Sequence, residues 1–153
     1  MAGRSEADKA HEEIAALRRF IERSGLPLNA SSIEKRMNPE PDLLCQGPDG
    51  LVAFEIANLC DGELAKVLAA GARARTDAFS TADPSAQIVR NKLSCSYETD
   101  HPIELLLYTD GRMISTDDMI IPTVVPILES RRGPYRRAWF MGEKTTCLLW
   151  EAS

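Results

Sequence analysis

The chain has 153 residues, of which 44% are hydrophobic and 27% charged, the balance of one globular domain with a real core rather than a disordered segment. Its formal net charge of −5 excludes a broadly basic surface for non-specific nucleic-acid binding, though not a local basic patch. No apolar run approaches the roughly 18 residues of a membrane span, and the polar, acidic start MAGRSEADKAHEEIAALRRF lacks the apolar stretch of a secretion signal. Cys45, Cys60, Cys95 and Cys147 form no CxxC pair and read as reduced thiols, so a cytoplasmic protein is expected.

Residues 6–24 predict an amphipathic helix. Ala10, Ile14, Leu17 and Ile21 recur at helical spacing, Ser5 can cap the start, and Gly25 with Pro27 ends it. Residues 26–40 read as loop with room for a short strand. Two β-favouring runs, 42–45 and 51–57, flank Gln46-Gly47-Pro48-Asp49-Gly50 and predict a hairpin. Asp61 caps a helix of about 62–75, and Asp83-Pro84 opens another running to about Tyr97. The apolar run 103–108, IELLLY, predicts a strand buried on both faces. Pro122 and Pro126 allow only a short helix within 117–132, and a hairpin of 136–141 and 145–150 closes the chain around Gly142-Glu143. The expected class is α/β, a mixed central sheet flanked by helices in a single domain.

The first hairpin carries the chemistry. With its turn symmetric about Pro48-Asp49, Cys45 faces Val52, Leu43 faces Phe54, and Asp42 faces Glu55. Opposed residues have Cβ atoms about 5 Å apart. Two carboxylates so close repel unless one is protonated or a cation lies between them. Hard oxygen ligands of this kind suit Mg²⁺ or Mn²⁺. Glu55 shares its face with the small Ala53 and Ala57, which predicts an uncrowded, substrate-accessible face. The plainer alternative is that Asp42 merely starts a strand and Glu55 faces solvent.

Pro41-Asp42 followed across the hairpin by Glu55-Ile56-Ala57 resembles the PD-(D/E)xK, or restriction-endonuclease-like, nuclease superfamily. So does the order of a preceding helix, the motif hairpin, a following helix and an apolar strand, over about residues 8–110. The resemblance implies a restriction-endonuclease-like core with a C-terminal hairpin extension, 111–153. It makes Asp42 and Glu55 catalytic metal-binding acids, with the backbone carbonyl of Ile56 as a further ligand to Mg²⁺ or Mn²⁺. Its reaction is hydrolysis of nucleic-acid phosphodiester bonds, DNA before RNA. The superfamily's lysine falls on Ala57, so either another cation replaces it or the fold serves as a non-catalytic module for a protein partner or a homodimer.

Lys92 is the replacement offered by the helix after Pro84. At about 100° per residue it lies in the stripe of Ile88, Val89 and Cys95, where its alternative is to snorkel to water. Gln87, one turn earlier, could position phosphate or water, and Lys66 is a weaker substitute for Lys92. First-helix acids complete the metal site in the superfamily. Glu13, near the apolar face, is the candidate, against a boundary role paired with Arg18 or Lys9. Arg131, Arg132, Arg136 and Arg137, near Tyr135, Trp139 and Phe140, are candidate backbone contacts for nucleic acid or simply a solvated loop. His11 and His101 have no zinc-ligand spacing, and no GxGxxG, P-loop or GxSxG sequence is present.

Overall fold

The computed structural model describes residues 5–59, 85–110, 116–131 and 133–152. The helix expected at 62–75, Cys60, Lys66, Asp83-Pro84 and Arg132 lie outside them. The described elements are α1 (Glu6–Ser24), β1 (Asn29–Lys35), β2 (Leu43–Gly47), β3 (Gly50–Asn58), α2 (Ser85–Leu93), β4 (Ile103–Tyr108), α3 (Asp117–Ser130), β5 (Arg137–Met141) and β6 (Thr146–Glu151). The strands form one sheet in the order β1-β2-β3-β4-β5-β6. The first three run antiparallel, β4 and β5 run parallel to β3, and β6 returns antiparallel. The class is α/β with a mixed sheet and helices packed on it, as the sequence predicts.

Each face of the sheet has its own apolar cluster. On one, Leu17 and Phe20 of α1 pack on Leu43, Phe54, Ile56 and Leu106. On the other, α2 and α3 supply Ile88, Val89, Ile120, Val124 and Leu128 against Ala53, Ala57, Leu105 and Leu107. Strand alternation divides β3 between them, even-numbered residues toward α1 and odd-numbered ones toward α2 and α3. All six residues of β4 are buried, as expected of a central strand covered on both sides.

Local chemistry explains the element ends. The Ser5 side chain accepts from the Asp8 N–H at 3.1 Å, and Gly25 closes α1 in the left-handed conformation at φ 71°. The buried face of α1 is Glu13, Ala16, Leu17 and Phe20, rotated from the expected stripe because Phe20, in contact with Phe54 and Trp139, anchors it. The helix expected to reach Tyr97 stops at Leu93 instead, since the Ser94 hydroxyl and Cys95 thiol bond back to the carbonyls of Arg90 and Asn91.

The largest departure is α3, which runs through both Pro122 and Pro126. The two prolines lie four residues apart on the exposed side, opposite buried Ile120, Val124 and Leu128. The carbonyls that lose their intrahelical donors therefore face water, which can replace those bonds, and the apolar stripe carries the helix. The loop expected at 26–40 contains β1, whose register with β2 is irregular between Asn29 and Glu34.

Candidate functional site

The hairpin register is the one the symmetric turn predicts, with Leu43 opposite Phe54 and Cys45 opposite Val52. One step before β2 begins, the Asp42 and Glu55 side chains each accept from a backbone N–H, those of Ile56 and Asp42. The Asp42 N–H donates to Glu55 Oε1 at 3.0 Å, and the Ile56 N–H donates to Asp42 Oδ2 at 2.9 Å. β2 stops pairing with β3 at Phe54, so Asp42 caps the bare edge of β3 beyond it. The N–H and C=O of one strand residue face the same neighbour. The Ile56 carbonyl therefore turns to the same open edge as its N–H.

The Glu55 face is not the uncrowded one its alanine neighbours suggested. Ala53 and Ala57 are small because α2 and α3 press on them, and Glu55 is only 6% exposed. From α2, Lys92 sends its ammonium inward rather than to solvent and meets Glu55 Oε2 at 2.7 Å. Lys92, the cation the sequence offers in place of Ala57, therefore lies beside the acid pair.

Glu13 reaches the site from the opposite layer. It is 5% exposed, and its partner is neither Arg18 nor Lys9 but Lys35, whose Nζ lies 2.8 Å from Glu13 Oε1 and 3.6 Å from Asp42 Oδ1. Lys35 pairs across the ladder with Leu43 and so projects toward α1. From there it spans α1 and the start of β2. The result is three carboxylates, Glu13, Asp42 and Glu55, interleaved with two ammonium groups.

Their electrostatics show a surplus of negative charge. Burial, then the neighbouring Asp42 carboxylate, pushes both Glu13 and Glu55 above the ordinary glutamate value, and the lysines only partly offset this. Lys92 and Lys35 are each penalised by burial, yet the carboxylates around them outweigh it and raise both. Behind Lys92, Tyr135 donates its hydroxyl to the Lys92 carbonyl at 2.9 Å and lies 2.9 Å from the Tyr97 hydroxyl. Burial, then the Tyr135 contact, pushes the Tyr97 phenol upward, so it is neutral.

Glu13, Ile56, Ala57, Asn58, Ile88 and Lys92 line a cleft of about 140 Å³. It opens at the carboxyl ends of the parallel pair β3 and β4, where ligands of open α/β sheets bind. Among the described residues, no three Asp, Glu, His or Cys side chains converge closely enough to hold a metal ion by themselves. The donors nevertheless fit a hard cation in kind: two adjacent carboxylates, a backbone carbonyl on the same edge, and charge left uncompensated.

The remaining sequence candidates lie elsewhere. Gln87 is exposed and donates to Asn91 at 2.8 Å on the outer side of α2. Arg131 follows α3, exposed. Arg136 and Arg137 converge on Glu104, at 2.7 and 3.2 Å, and Arg137 also pairs with Glu151. Glu104 sits opposite Phe54 in the ladder and shares its sheet face, the one away from Glu55. These arginines border a separate cavity of about 360 Å³ with Leu28, Val52, Pro102 and Trp139.

Lys35 and Glu104 were not anticipated, although both left a signal. In the run Ser32-Ile33-Glu34-Lys35, lysine shares the period-2 face of Ile33, which packs on the α1 cluster. Glu104 is the one charged residue within IELLLY. The chain matches no family model, no curated protein and no solved structure, so its chemistry has to be argued from these residues. Among the described residues no helix is long and apolar enough to cross a membrane.

Proposed function

We propose that the chain is a metal-dependent phosphodiester hydrolase of the PD-(D/E)xK kind, acting on nucleic acid, DNA before RNA. The observation that carries this reading is the Lys92 ammonium, 2.7 Å from Glu55. It returns a lysine to the acid pair that the residue at 57 cannot supply. The order of helix, motif hairpin, helix and apolar strand also supports it. Asp42, Glu55, the Ile56 carbonyl and Glu13 are the groups that would hold Mg²⁺ or Mn²⁺. When bound, such an ion supplies Lewis-acid polarisation of a phosphate and a lowered pKa for its water.

The chain's own residues do the rest. Lys92 favours the ionised form of Glu55 against burial and Asp42 and presents a positive charge where phosphate oxygens gather negative charge. The Asp42–Ile56 and Glu55–Asp42 backbone bonds fix both acids on the β3 edge, and the tyrosine pair fixes the turn from which Lys92 projects. Exposed Arg131 and half-exposed Arg136 and Arg137 are candidate phosphate-backbone contacts, with no Gln87 contribution from its outward position. Free thiols at Cys45, Cys95 and Cys147 fit a reducing cytoplasm.

A second reading, a non-catalytic assembly module, is favoured by one observation. Each of the three carboxylates already has a lysine or backbone partner within the chain. An assay of the pure protein with Mn²⁺ on single-stranded, double-stranded and supercoiled DNA and on RNA separates the two. Cleavage is expected, reduced about 100-fold or more by Asp42→Ala and by about 10²–10³ by Lys92→Met. No cleavage of any substrate would give the chain to the second reading.

A further inference from the structure

Lys35 is a charged group at the site to which the hydrolase reading gives no task. Its ammonium lies 2.8 Å from Glu13 and 3.6 Å from Asp42, between an acid from α1 and one from the motif hairpin. Both carboxylates can be ionised there only with a cation between them.

The two lysines are held differently. Lys92 rises from a helix packed on the sheet, and the carbonyl of its own residue is fixed by Tyr135. Lys35 rises from β1, the sheet's edge strand, next to a register irregularity. Its contact with Asp42 is longer than a hydrogen bond, although at 25% its side chain is no more exposed than that of Lys92. A flexible four-carbon stem at an exposed edge lets an ammonium swing into water without disturbing the sheet.

Resting on the metal-site reading above, we infer that Lys35 is a displaceable counter-cation. It keeps Glu13 and Asp42 assembled in the metal-free protein and leaves when a divalent ion takes its place. Metal binding is then an exchange of one cation for another within a preformed acid pair. Glu13 joins the metal shell only after Lys35 has gone, which fits the absence, among the described residues, of a converged three-acid cluster.

Mn²⁺ titration calorimetry on the full chain tests this with wild type, Lys35→Met and Asp42→Asn. Lys35→Met is expected to bind Mn²⁺ at least tenfold more tightly than wild type, and Asp42→Asn to bind none. A merely structural tie would behave oppositely, since its loss would loosen the acids and weaken the metal. Binding to Lys35→Met that is equal to or weaker than wild type overturns the exchange while leaving the metal site standing. No binding to either protein overturns both. If Lys35→Met does not fold, the wild type answers alone through amine labelling read by mass spectrometry. Saturating Mg²⁺ should raise the labelling of Lys35 several-fold, and unchanged labelling overturns the inference.

Discussion

Two buried glutamates sit one row apart on neighbouring strands and on opposite faces of the sheet, and they are treated in opposite ways. Glu104, 4% exposed, is surrounded by donors. Trp139 Nε1 donates to it at 2.6 Å, and Arg136 and Arg137 both reach its other oxygen. Glu55, 6% exposed, receives one ammonium and one backbone N–H and has the Tyr97 hydroxyl beside it, with Asp42 close enough to oppose its ionisation. The first arrangement balances Glu104 and Glu151 against two arginines and ties β4 to β5 and, through Arg137 and Glu151, to β6. The second, with Glu13, has three carboxylates against two ammonium groups, and links α2 to β3 and β1 to α1. On the hydrolase proposal, charge left unbalanced beside the cleft is kept for chemistry at some cost in stability.

Substitutions can break that comparison. The largest effect is expected for Glu104→Ala, which removes the acceptor shared by an indole and two guanidiniums. The half-exposed arginines rehydrate, but the Trp139 N–H loses its partner. A loss of about 2–4 kcal/mol is expected from urea denaturation. A loss below about 1 kcal/mol would mean that Glu104 is no structural keystone.

Asp42→Asn should go the other way. Asparagine keeps an oxygen for the Ile56 N–H but removes the charge that raises both Glu13 and Glu55. Stability is expected to hold or rise by up to about 1 kcal/mol, and NMR titration should show both glutamates falling toward their ordinary value. Destabilisation comparable to Glu104→Ala would place the acid cluster among the structural pairs.

The smallest effect is on pH dependence. Glu13 and Glu55 have folded values raised above 4.5, so between the unfolded and folded values the native state binds more protons. Stability then falls as pH rises through that window, and the cost is fully present above the folded values. Lys35 and Lys92, raised above 10.5, contribute stability that is lost as pH rises from 10.5 through their folded values. Melting curves from pH 4.5 to 8 should show wild type losing stability relative to Glu55→Gln as pH rises. Parallel curves would deny the surplus charge.

The sequence was most legible where local rules act alone. The turn around Pro48-Asp49 set the hairpin register, and with it the meeting of Asp42 and Glu55. The helical stripe put Lys92 on the sheet side of α2, and alternation put Phe54 and Ile56 opposite Ala53 and Ala57. What could not be read depended on partners distant in the chain. Small residues beside Glu55 were equally consistent with an open face and with helices packed on them. Lys35 was hidden because the segment around it carries loop-forming residues, and only pairing with β2 makes it a strand. The two prolines argued against a long α3 because their common exposure could not be known before its buried face had a sheet to pack on.

The most direct test is the position of Mn²⁺ in a crystal of the metal-loaded protein, located by its anomalous scattering. The expected result is a peak about 2.0–2.3 Å from the carboxylates of Asp42 and Glu55 and from the Ile56 carbonyl, with Lys92 still on Glu55. No peak there at saturating Mn²⁺, with the acids still bound to their lysines, would contradict the metal-site claim.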